Sequence, residues 1–499
     1  METERKKFYI TTAIPYVNAR PHIGFALELI QTDVIARWLR QQGGNVRFLT
    51  GTDENALKNV QAAEEAGRDT GEFVAEHAQL FKDLLKILDI SNDDFIRTSA
   101  EERHIKGAQK LWSSCKPDDI YKKVYKGLYC LGCEEFKLEK DLMNGECSEH
   151  PGKKLQEVEE ENYFFRLSGY QDRILKLVED GTMSIIPEGR RNETISFIKS
   201  GLEDFSISRS RERAKHWGIE VPGDPSQIMY VWFDALSNYI NALGYAETSE
   251  DFRSYWEQGE TLHVIGKGIN RFHAVYWPAM LLSANIALPK KIFIHGYITV
   301  DGQKMSKTIG NVIDPVELVG KYGVDPVRYY LLREISSSED GDFSYKKFEE
   351  RYNGDLANGL GNLVARVATL GETISPIEDR GIQDGIRDEH QAHIASIGKR
   401  YESYMQDFRL NEALACTWEL VSFADKFIND RKPWTMKENK DELVSVILPA
   451  CRLIEAVANF IVPFLPDTSM RIREQIIFHD GNIEIKKGAG LFPRLAKSN

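Results

Sequence analysis

The stretch of residues 8–50 constrains the fold of this chain more than any other. Residues 8–12 and 46–50 are apolar runs that suit buried strands. Between them, over about residues 25–42, apolar side chains recur with helical period, and the pattern ends at Gly43. Two strands joined by one helix form a βαβ unit, so we expect a parallel sheet. Ligands of such open sheets bind beyond the carboxyl ends of the strands.

Two groups of residues suit a phosphate at that edge. His22 and Gly24 open the helical pattern, where helix amides face an anion and glycine lets the backbone come close. Lys304 and Lys307 flank a small hydroxyl residue in a loop that follows the apolar run 292–294. Their ammonium groups can neutralise the charge that builds as a phosphorus–oxygen bond breaks. A solvated basic turn would show the same lysine spacing.

Together the two motifs resemble the HIGH and KMSKS signatures of class I aminoacyl-tRNA synthetases, and the surrounding residues resemble the methionyl group of that family. The stretches that carry this resemblance are Pro21-His22-Ile23-Gly24 and Lys304-Met305-Ser306-Lys307-Thr308. Phe25 replaces the final His of the first signature, and Thr308 replaces the final Ser of the second. The resemblance implies catalytic roles for His22, Lys304 and Lys307. It implies ATP binding by His22, Gly24, Lys304, Ser306, Lys307 and Arg209.

The resemblance also implies a methionine site. Its residues are Ala13, Ile14, Tyr16, Asp53, Trp232, Ala235, Tyr239, Ile269 and His273. Asp53 would face the substrate ammonium, although an acidic residue after a strand can equally cap the next helix. The spacing of Trp232, Ala235 and Tyr239 puts them on one helix face, which is also typical of a core. Three positions depart from the family pattern, namely Asn55, Leu236 and Gly268.

A cysteine–histidine cluster predicts a metal site. Cys130 and Cys133 form one Cys-x-x-Cys pair, and Cys147 with His150 forms a second knuckle. Two such knuckles can hold one tetrahedral Zn²⁺ at Zn–S distances of ~2.3 Å. Four protein ligands leave no open position, so the zinc is expected to be structural. The surrounding insert, 116–225, resembles the connective peptide of the family.

The chain becomes helical after about residue 326. Residues 351–470 carry long amphipathic patterns, which predict a helical bundle. The resemblance places anticodon recognition at Asn362, Arg366 and Trp434. An amide, a guanidinium and a flat ring suit unpaired bases through hydrogen bonds and stacking. A surface helix with a partly buried tryptophan would show the same residues.

The predicted fold class is α/β, with a Rossmann-type parallel-sheet catalytic domain, a zinc-knuckle insertion and a C-terminal helical bundle. The predicted domains are the first catalytic half 1–115, the insertion 116–225, the second catalytic half with the lysine loop 226–325, a connecting segment 326–350, and the helical anticodon-binding domain 351–499.

Composition limits the partners and the compartment. The net charge of −12 means that RNA can bind only through local basic patches. We find no N-terminal signal and no apolar run of the ~20 residues that a membrane span needs, so we expect a cytoplasmic protein without a membrane partner. Three of the six cysteines lie in the predicted metal cluster, which favours a reducing compartment. The short tail after Leu491 leaves no room for a dimerisation domain, so a monomer is expected.

The function implied by the resemblance is ATP-dependent ligation of L-methionine to its tRNA. Methionyl-adenylate is the intermediate, AMP and pyrophosphate are released, and Mg²⁺ accompanies ATP. The partners are therefore tRNA, ATP and methionine. No covalent protein nucleophile is needed, because placement and charge stabilisation suffice.

Three other functions remain open at this point. A nucleotidylyltransferase shares the first motif and adenylyl transfer, but it does not explain the zinc insert or the helical C-terminal third. A non-catalytic RNA-binding protein is favoured by Phe25 and Gly268, which alter active-site positions. Class I synthetases for leucine, isoleucine or valine would need a large editing insertion, which the first half lacks, while a cysteine enzyme would not.

Overall fold

The computed structural model describes residues 5–130, 135–137, 142–148, 152, 154–305, 310–378 and 385–495. The chain forms two compact units. The first contains Met1–Thr32 and Leu39–His295, and the second contains Asp33–Trp38 and Gly296–Asn499.

A six-stranded sheet forms the centre of the first unit, and all of its strands are parallel. In spatial order its strands are Asp94–Arg97, Asn45–Thr52, Lys7–Thr12, Glu260–Gly266, Lys291–His295 and Ser184–Ile186. The predicted parallel α/β fold is therefore confirmed. The strand order reverses between the strand at residues 7–12 and the strand at residues 260–266, which is where such sheets bind ligands.

The predicted βαβ unit is present, with its helix at Ile23–Gln41. The carbonyl of His22 accepts hydrogen bonds from the amides of Phe25 and Ala26, which starts this helix at the first motif. Gly43 follows the helix with a φ of +83°, a left-handed conformation that favours glycine. The other α-helices of the first unit are Leu57–Glu65, Thr70–Ile87, Glu102–Ser114, Gln171–Glu179, Glu188–Lys199, Val231–Leu236, Asn238–Asn241 and Trp277–Ser283.

The predicted insert carries antiparallel strands in the described part of the chain. Four of them form one sheet in the order Phe205–Ser206, Gln156–Phe165, Ile120–Cys130, Glu135–Lys137. A hairpin joins Leu142–Met143 to Glu146–Cys147, and a three-stranded sheet contains Ser208–Ser210, Asp224–Met229 and Glu220–Val221. The edge strand Ser184–Ile186 of the parallel sheet also comes from within 116–225, so this stretch also contributes to the central sheet.

The second unit is mainly helical, as predicted. Its α-helices are Pro315–Tyr322, Val324–Arg333, Tyr345–Arg351, Asn362–Gly371, Gly385–Gln406, Leu410–Arg431, Lys440–Ile461 and Pro466–Gln475. It also contains two small sheets. One comprises Gln303–Lys304, Ile298–Val300 and Gly341–Phe343, and the other comprises Ile377–Glu378, Asn482–Ile485 and Ile476–His479. The sequence analysis did not predict the second sheet, because its strands are only two to four residues long.

One helix of this unit, Lys440–Ile461, is long and apolar enough to cross a membrane, with a mean hydropathy of 1.7. This corrects the expectation that no apolar run of such length exists. More than half of its apolar window is buried within the bundle, where the helix packs against Leu410–Arg431 and Asn362–Gly371. A core helix of a helical bundle has the same composition, so the length alone does not indicate a membrane protein.

A buried ion pair holds the second unit together. Arg328 and Asp33 both have fully buried side chains, and Nη2 of Arg328 lies 2.7 Å from Oδ2 of Asp33. The same guanidinium donates to the carbonyl oxygens of Pro463 and Phe464, at 3.0 and 2.8 Å. Removing the guanidinium would leave a carboxylate and two carbonyls buried with fewer partners.

We predict that Arg328→Met destabilises the protein by about 3–5 kcal/mol, the range for breaking one half of a buried pair. Urea unfolding followed by circular dichroism measures this loss. The matched control is Arg400→Met, because Arg400 pairs with Glu419 while both side chains are about half exposed. That change should cost less than ~1 kcal/mol. Equal losses in the two variants would contradict the prediction.

Candidate active site

The predicted methionine-site residues meet at the carboxyl ends of the central strands. The backbones of Tyr16 and Asp53 pair in a single parallel β-bridge. The amide of Asp53 donates to the carbonyl of Pro15 at 2.9 Å. Asp53 is buried, and one of its carboxylate oxygens accepts the amide of Asn55 at 3.3 Å. Ala13 continues the first strand, where its amide donates to the carbonyl of Val264 across the switch point. The structure therefore places Asp53 beside the exit of the first strand.

Aromatic rings form one wall of this site. Trp232 stacks on Phe272 with ring centroids 3.9 Å apart, and it meets the rings of Tyr16 and His273 edge-on. Ala235 is buried one turn further along, and Ile14 and Ile269 pack against the same core. The predicted cluster is therefore assembled, although a turn at Ser237 divides the expected helix into Val231–Leu236 and Asn238–Asn241. The Nε1–H group of Trp232 is buried and finds no acceptor among the described residues.

Tyr239 and His273 are hydrogen-bonded at the base of this wall. The hydroxyl of Tyr239 lies 2.8 Å from Nε2 of His273, whose Nδ1 lies 3.0 Å from the carbonyl of Ile269. A carbonyl only accepts, so Nδ1 carries the proton and Nε2 accepts from the tyrosine hydroxyl. Burial lowers the pKa of His273 to about 4. The imidazole is therefore neutral at physiological pH, and its nitrogens are both occupied.

His22 lies at the start of the helix that follows the first strand. The amide of Gly24 donates to its Nδ1 at 3.0 Å, so the proton of the neutral ring lies on Nε2. Its side chain is solvent-accessible, yet the protein packed around it desolvates the ring and lowers its pKa. A neutral imidazole at this position offers one N–H donor to an anion at the helix N-terminus.

Phe25, which replaces the second histidine of the first motif, belongs to an apolar cluster. Its ring meets that of Phe81 edge-on at 5.1 Å, and it packs with Val17, Phe73 and Ala78. The side chain thus stabilises the contact between the first helix and the helix Thr70–Ile87. Its position explains how an apolar residue is accommodated in a polar motif.

Glu28 and His295 are functional candidates that the sequence analysis missed. Glu28 is buried, and its two carboxylate oxygens contact the amide of Ala13 at 2.9 Å and Nε2 of His295 at 2.8 Å. The pair links the exit of the first strand to the end of the strand Lys291–His295. No local spacing signals this contact, because 267 positions separate the two residues.

A second missed network surrounds Asp234. This buried carboxylate accepts the side-chain amide of Asn55 at 2.9 Å and lies 3.2 Å from Nε2 of His104. The side-chain amide of Asn241 donates to Nδ1 of His104, which leaves Nε2 as the donor to Asp234. Burial raises the pKa of Asp234, and the hydrogen bond from His104 opposes this. The side-chain amide of Asn55, one of the departures from the family pattern, also donates to the carbonyl of Thr98 at 3.4 Å. It is therefore held by two oxygens.

The lysine loop is only partly described. Lys304 is exposed in the short strand Gln303–Lys304, which pairs with Ile298–Val300 through a turn at Asp301 and Gly302. Both turn residues have positive φ, the pattern of a tight hairpin. We expected both lysines in a loop at the end of a strand. Lys304 instead lies within a strand of this hairpin. Ser306, Lys307 and Thr308 lie outside the described residues.

Arg209 is buried within the insert, where it lies in the strand Ser208–Ser210. Its Nη2 lies 3.1 Å from the hydroxyl of Tyr129, and its guanidinium lies 5.5 Å from the ring centre of Tyr230. Tyr230 precedes Trp232 by two positions, so Arg209 contacts a ring that lies next to the aromatic wall along the chain.

Two of the four predicted zinc ligands are described. Cys130 ends the strand Ile120–Cys130 and pairs with Glu135 across a hairpin, while Cys147 pairs with Leu142. Both thiols are buried. Cys133 and His150 lie outside the described residues. Within the described part, no group of three or more candidate metal ligands occurs.

The three predicted anticodon residues lie in the second unit. Arg366 stacks on Trp434 with its guanidinium 5.2 Å from the ring centre, and it donates to Asp425 at 3.0 Å and Asn429 at 2.8 Å. Trp434 is 42% exposed, and Asn362 is exposed at the start of the same helix as Arg366. The structure therefore presents a ring and a guanidinium together on the surface.

Comparisons with known proteins agree with this geometry. The family model described as tRNA synthetases class I (M) matches residues 8–157 and 137–368. A methionine–tRNA ligase of Thermotoga maritima is 44% identical over 487 residues, which cover 95% of this chain and 76% of the relative. This chain belongs to the methionine–tRNA ligase family of class I synthetases. A ligase of the same family from Brucella suis is 42% identical, covering 94% of this chain and 91% of the relative.

Solved structures of the family show the same fold. The methionyl-tRNA synthetase of Mycobacterium tuberculosis in complex with methionyl-adenylate is 37% identical, with a TM-score of 0.93 over 98% of this chain and all of that one. The structure of the free form of that enzyme has a TM-score of 0.85 at 34% identity.

The lowered pKa of His273 predicts that the protein loses stability in acid. The unfolded chain binds a proton at this residue below about pH 6.5, whereas the folded chain binds it only near the lowered pKa of about 4. The contribution of the neutral His273 to the free energy of unfolding is therefore complete above pH 6.5, and it is lost as the pH falls towards 4. At ~1.4 kcal/mol per pH unit, the loss is ~3 kcal/mol. Urea unfolding at pH 7 and pH 4.5 should show a smaller acid loss in His273→Gln than in the wild type.

The control for this experiment is His479→Gln, because the His479 side chain is 54% exposed. It should retain the acid sensitivity of the wild type. An unchanged acid loss in His273→Gln would contradict the burial of a neutral imidazole.

Proposed function

We propose that this chain activates methionine with ATP and transfers it to tRNA. In the first step the carboxylate of methionine attacks the α-phosphorus of ATP, which forms methionyl-adenylate and expels pyrophosphate. In the second step a hydroxyl of the terminal adenosine of tRNA attacks the activated carbonyl and AMP leaves. The observation that carries the proposal is the assembled cluster of Trp232, Tyr239, His273 and Asp53 at the switch point of a parallel sheet.

The chemistry of this cluster fits a thioether side chain. The hydroxyl of Tyr239 and both nitrogens of His273 already hydrogen-bond to one another or to a carbonyl. A substrate hydroxyl or amide would therefore find few partners here to replace its hydrogen bonds to water. A polarizable sulfur gains ~0.3–1.5 kcal/mol from contact with aromatic edges. Trp232 retains one donor, which a thioether can accept weakly.

Charged ends of the substrates have separate partners in this proposal. Asp53 binds the methionine ammonium, and its burial strengthens that interaction. Nε2–H of His22 donates to the α-phosphate, and the amides of the first helix turn face the same anion. The resemblance assigns Gly24, Arg209, Lys304, Ser306 and Lys307 to ATP. Mg²⁺ on ATP would supply further neutralisation of the phosphate charge.

The decisive measurement is ATP–pyrophosphate exchange with each amino acid in turn. Methionine should stimulate exchange about 10- to 200-fold better than leucine, the range that one apolar pocket achieves between similar side chains. Valine and cysteine should be weaker than methionine as well. Exchange driven best by leucine, valine or cysteine would contradict the proposal.

A structural zinc in the insert is also proposed, held by Cys130, Cys133, Cys147 and His150. The support is that Cys130 and Cys147 are buried thiols at the ends of two hairpins, which suits thiolate ligands of a closed site. Zinc would supply folding energy to the insert and take no part in the reaction.

The remaining cysteines include the buried thiols of Cys115, Cys416 and Cys451, which are consistent with a reducing cytoplasm.

Elemental analysis should find one zinc per chain, and Cys147→Ser should lose it. Zinc binding requires deprotonated thiols, so chelation should release the metal and lower the melting temperature of the wild type. Cys416→Ser is the matched control, because it removes a buried thiol from the helical unit and should retain zinc. A metal-free wild type would contradict the proposal.

Asn362, Arg366 and Trp434 are proposed to bind anticodon bases. The support is the exposed Trp434 ring, which Arg366 already contacts on one side. Trp434→Ala should reduce kcat/KM for tRNA charging about 10- to 100-fold, because stacking on an aromatic ring is worth ~1–3 kcal/mol per base. Exchange without tRNA and the melting temperature should not change.

Met470→Ala is the control, because Met470 is a comparably exposed apolar residue of the same unit. It should charge tRNA normally. A parallel loss of exchange and stability in Trp434→Ala would show that the tryptophan only packs the bundle.

A further inference from the structure

The two ends of the amino-acid site come from different segments of the first unit. Asp53, the proposed partner of the substrate ammonium, follows the strand Asn45–Thr52. Trp232, in the aromatic wall that would receive the thioether, lies in the helix Val231–Leu236. The separation between these two side chains decides how long a substrate side chain can be. A contact that fixes this separation would therefore act on substrate selection.

One hydrogen bond joins the two segments directly. Nδ2 of Asn55 lies 2.9 Å from Oδ2 of Asp234. Asn55 is two positions after Asp53, and its backbone amide donates to Oδ1 of that carboxylate at 3.3 Å. Asp234 is two positions after Trp232 in the same helix. We name this hydrogen bond the Asn55–Asp234 link.

The Asp234 end of the link is held firmly by the protein. Asp234 is fully buried, and its Oδ1 lies 3.2 Å from Nε2 of His104, which is fully buried as well. The side-chain amide of Asn241 donates to Nδ1 of His104 at 3.3 Å. Gly107 permits this close packing, because a Cβ atom there would lie 2.0 Å from Oδ1 of Asn241. A buried carboxylate with a donor on each oxygen has little freedom to move.

Apolar contacts also join the two segments, but they constrain the separation less. Ala56 packs with Tyr230 and Val231. The ring of Tyr16 meets that of Trp232 edge-on, with centroids 6.4 Å apart. Apolar attraction is non-directional, whereas a hydrogen bond restricts both distance and angle. The link is therefore the contact that defines the separation most narrowly.

We propose that Asn55 and Asp234 are positioning residues that set the length of the amino-acid side chain accepted by this site. This inference rests on the proposed function. The two residues act through Asp53 and Trp232, which contact the substrate in that proposal. A well-defined apolar pocket discriminates one methylene by about 10- to 200-fold. Without the link, the ammonium partner and the aromatic wall are no longer held at one separation, so part of this discrimination is lost.

The test variant is Asn55→Leu in the full chain. Leucine is close to asparagine in size, it lacks the side-chain donor, and it keeps the backbone amide that faces Asp53. ATP–pyrophosphate exchange is measured with methionine, with S-methylcysteine, which is one methylene shorter, and with ethionine, which is one methylene longer. Rates are normalised to the concentration of active sites, so that unfolded protein does not contribute.

The KM for methionine should rise about 10-fold, the scale of one hydrogen bond to a charged group. The KM for ATP should not change. The preference in kcat/KM for methionine over each of the two analogues should fall by a similar factor. Asn55→Ala, which removes the donor without adding volume, should give the same shifts.

A conservative variant should restore the wild-type behaviour. Nδ1 of a histidine and Nδ2 of an asparagine are both bonded to Cγ, so Asn55→His can place an N–H donor at the same position. Its KM for methionine and its selectivity should be close to those of the wild type. The control is Asn92→Leu, because Asn92 is also half-buried and donates to the carbonyl of Asp94 at 3.2 Å, at the opposite end of the sheet. It should select methionine normally.

Unchanged KM and selectivity in Asn55→Leu, with a lower melting temperature, would show that the link only stabilises the fold and would overturn the inference. A rise in KM for methionine and ATP alike, with selectivity unchanged, would overturn it as well. Failure of the proposed function gives a different result, because then the wild type itself shows no methionine-dependent exchange, and both proposals fall together.

Discussion

The active-site side of the first unit depends on the buried carboxylate of Glu28. A buried carboxylate must be fully partnered, and here its two oxygens bind the amide of Ala13 and the imidazole of His295. Three elements are fixed by these two contacts, namely the exit of the first strand, the first helix and the end of a strand on the far side of the switch point. His22 precedes this helix, and Ala13 begins the path to Tyr16 and Asp53. The positions of His22 and Asp53, for which contacts with phosphate and ammonium are proposed, therefore depend on the geometry of one side chain.

The departures from the family pattern have different physical meanings. Phe25 lies in an apolar cluster with Phe81, so its change from histidine adds packing between two helices and leaves the Gly24–His22 contact in place. Asn55 is bound by the carboxylate of Asp234, which His104 also contacts, so its side chain is held by a buried polar network. Such networks are rigid when their members are satisfied. The first departure is accommodated by packing, and the second by hydrogen bonds.

The sequence predicted those features whose signal is local. The βαβ unit followed from apolar runs and helical period, whereas the aromatic wall followed from the resemblance to the family. The contacts of Glu28 with His295 and of His104 with Asp234 were not predictable, because they join residues 267 and 130 positions apart without a shared pattern. The edge strand Ser184–Ile186 was missed for another reason. Its three residues are too few to show a period, and they lie inside a stretch that the resemblance assigned to an insert.

That edge strand has a consequence for shortening the protein. A deletion between residues 116 and 225 would remove the insert together with the last strand of the central sheet. The backbone of residues 291–293, now paired with residues 184–186, would become an open edge rich in isoleucine and phenylalanine. Open apolar edges recruit strands from other molecules, so the truncated chain would tend to aggregate even if its remaining core were intact. A minimal catalytic unit of this protein must therefore retain residues 184–186 and the polypeptide that carries them to the sheet.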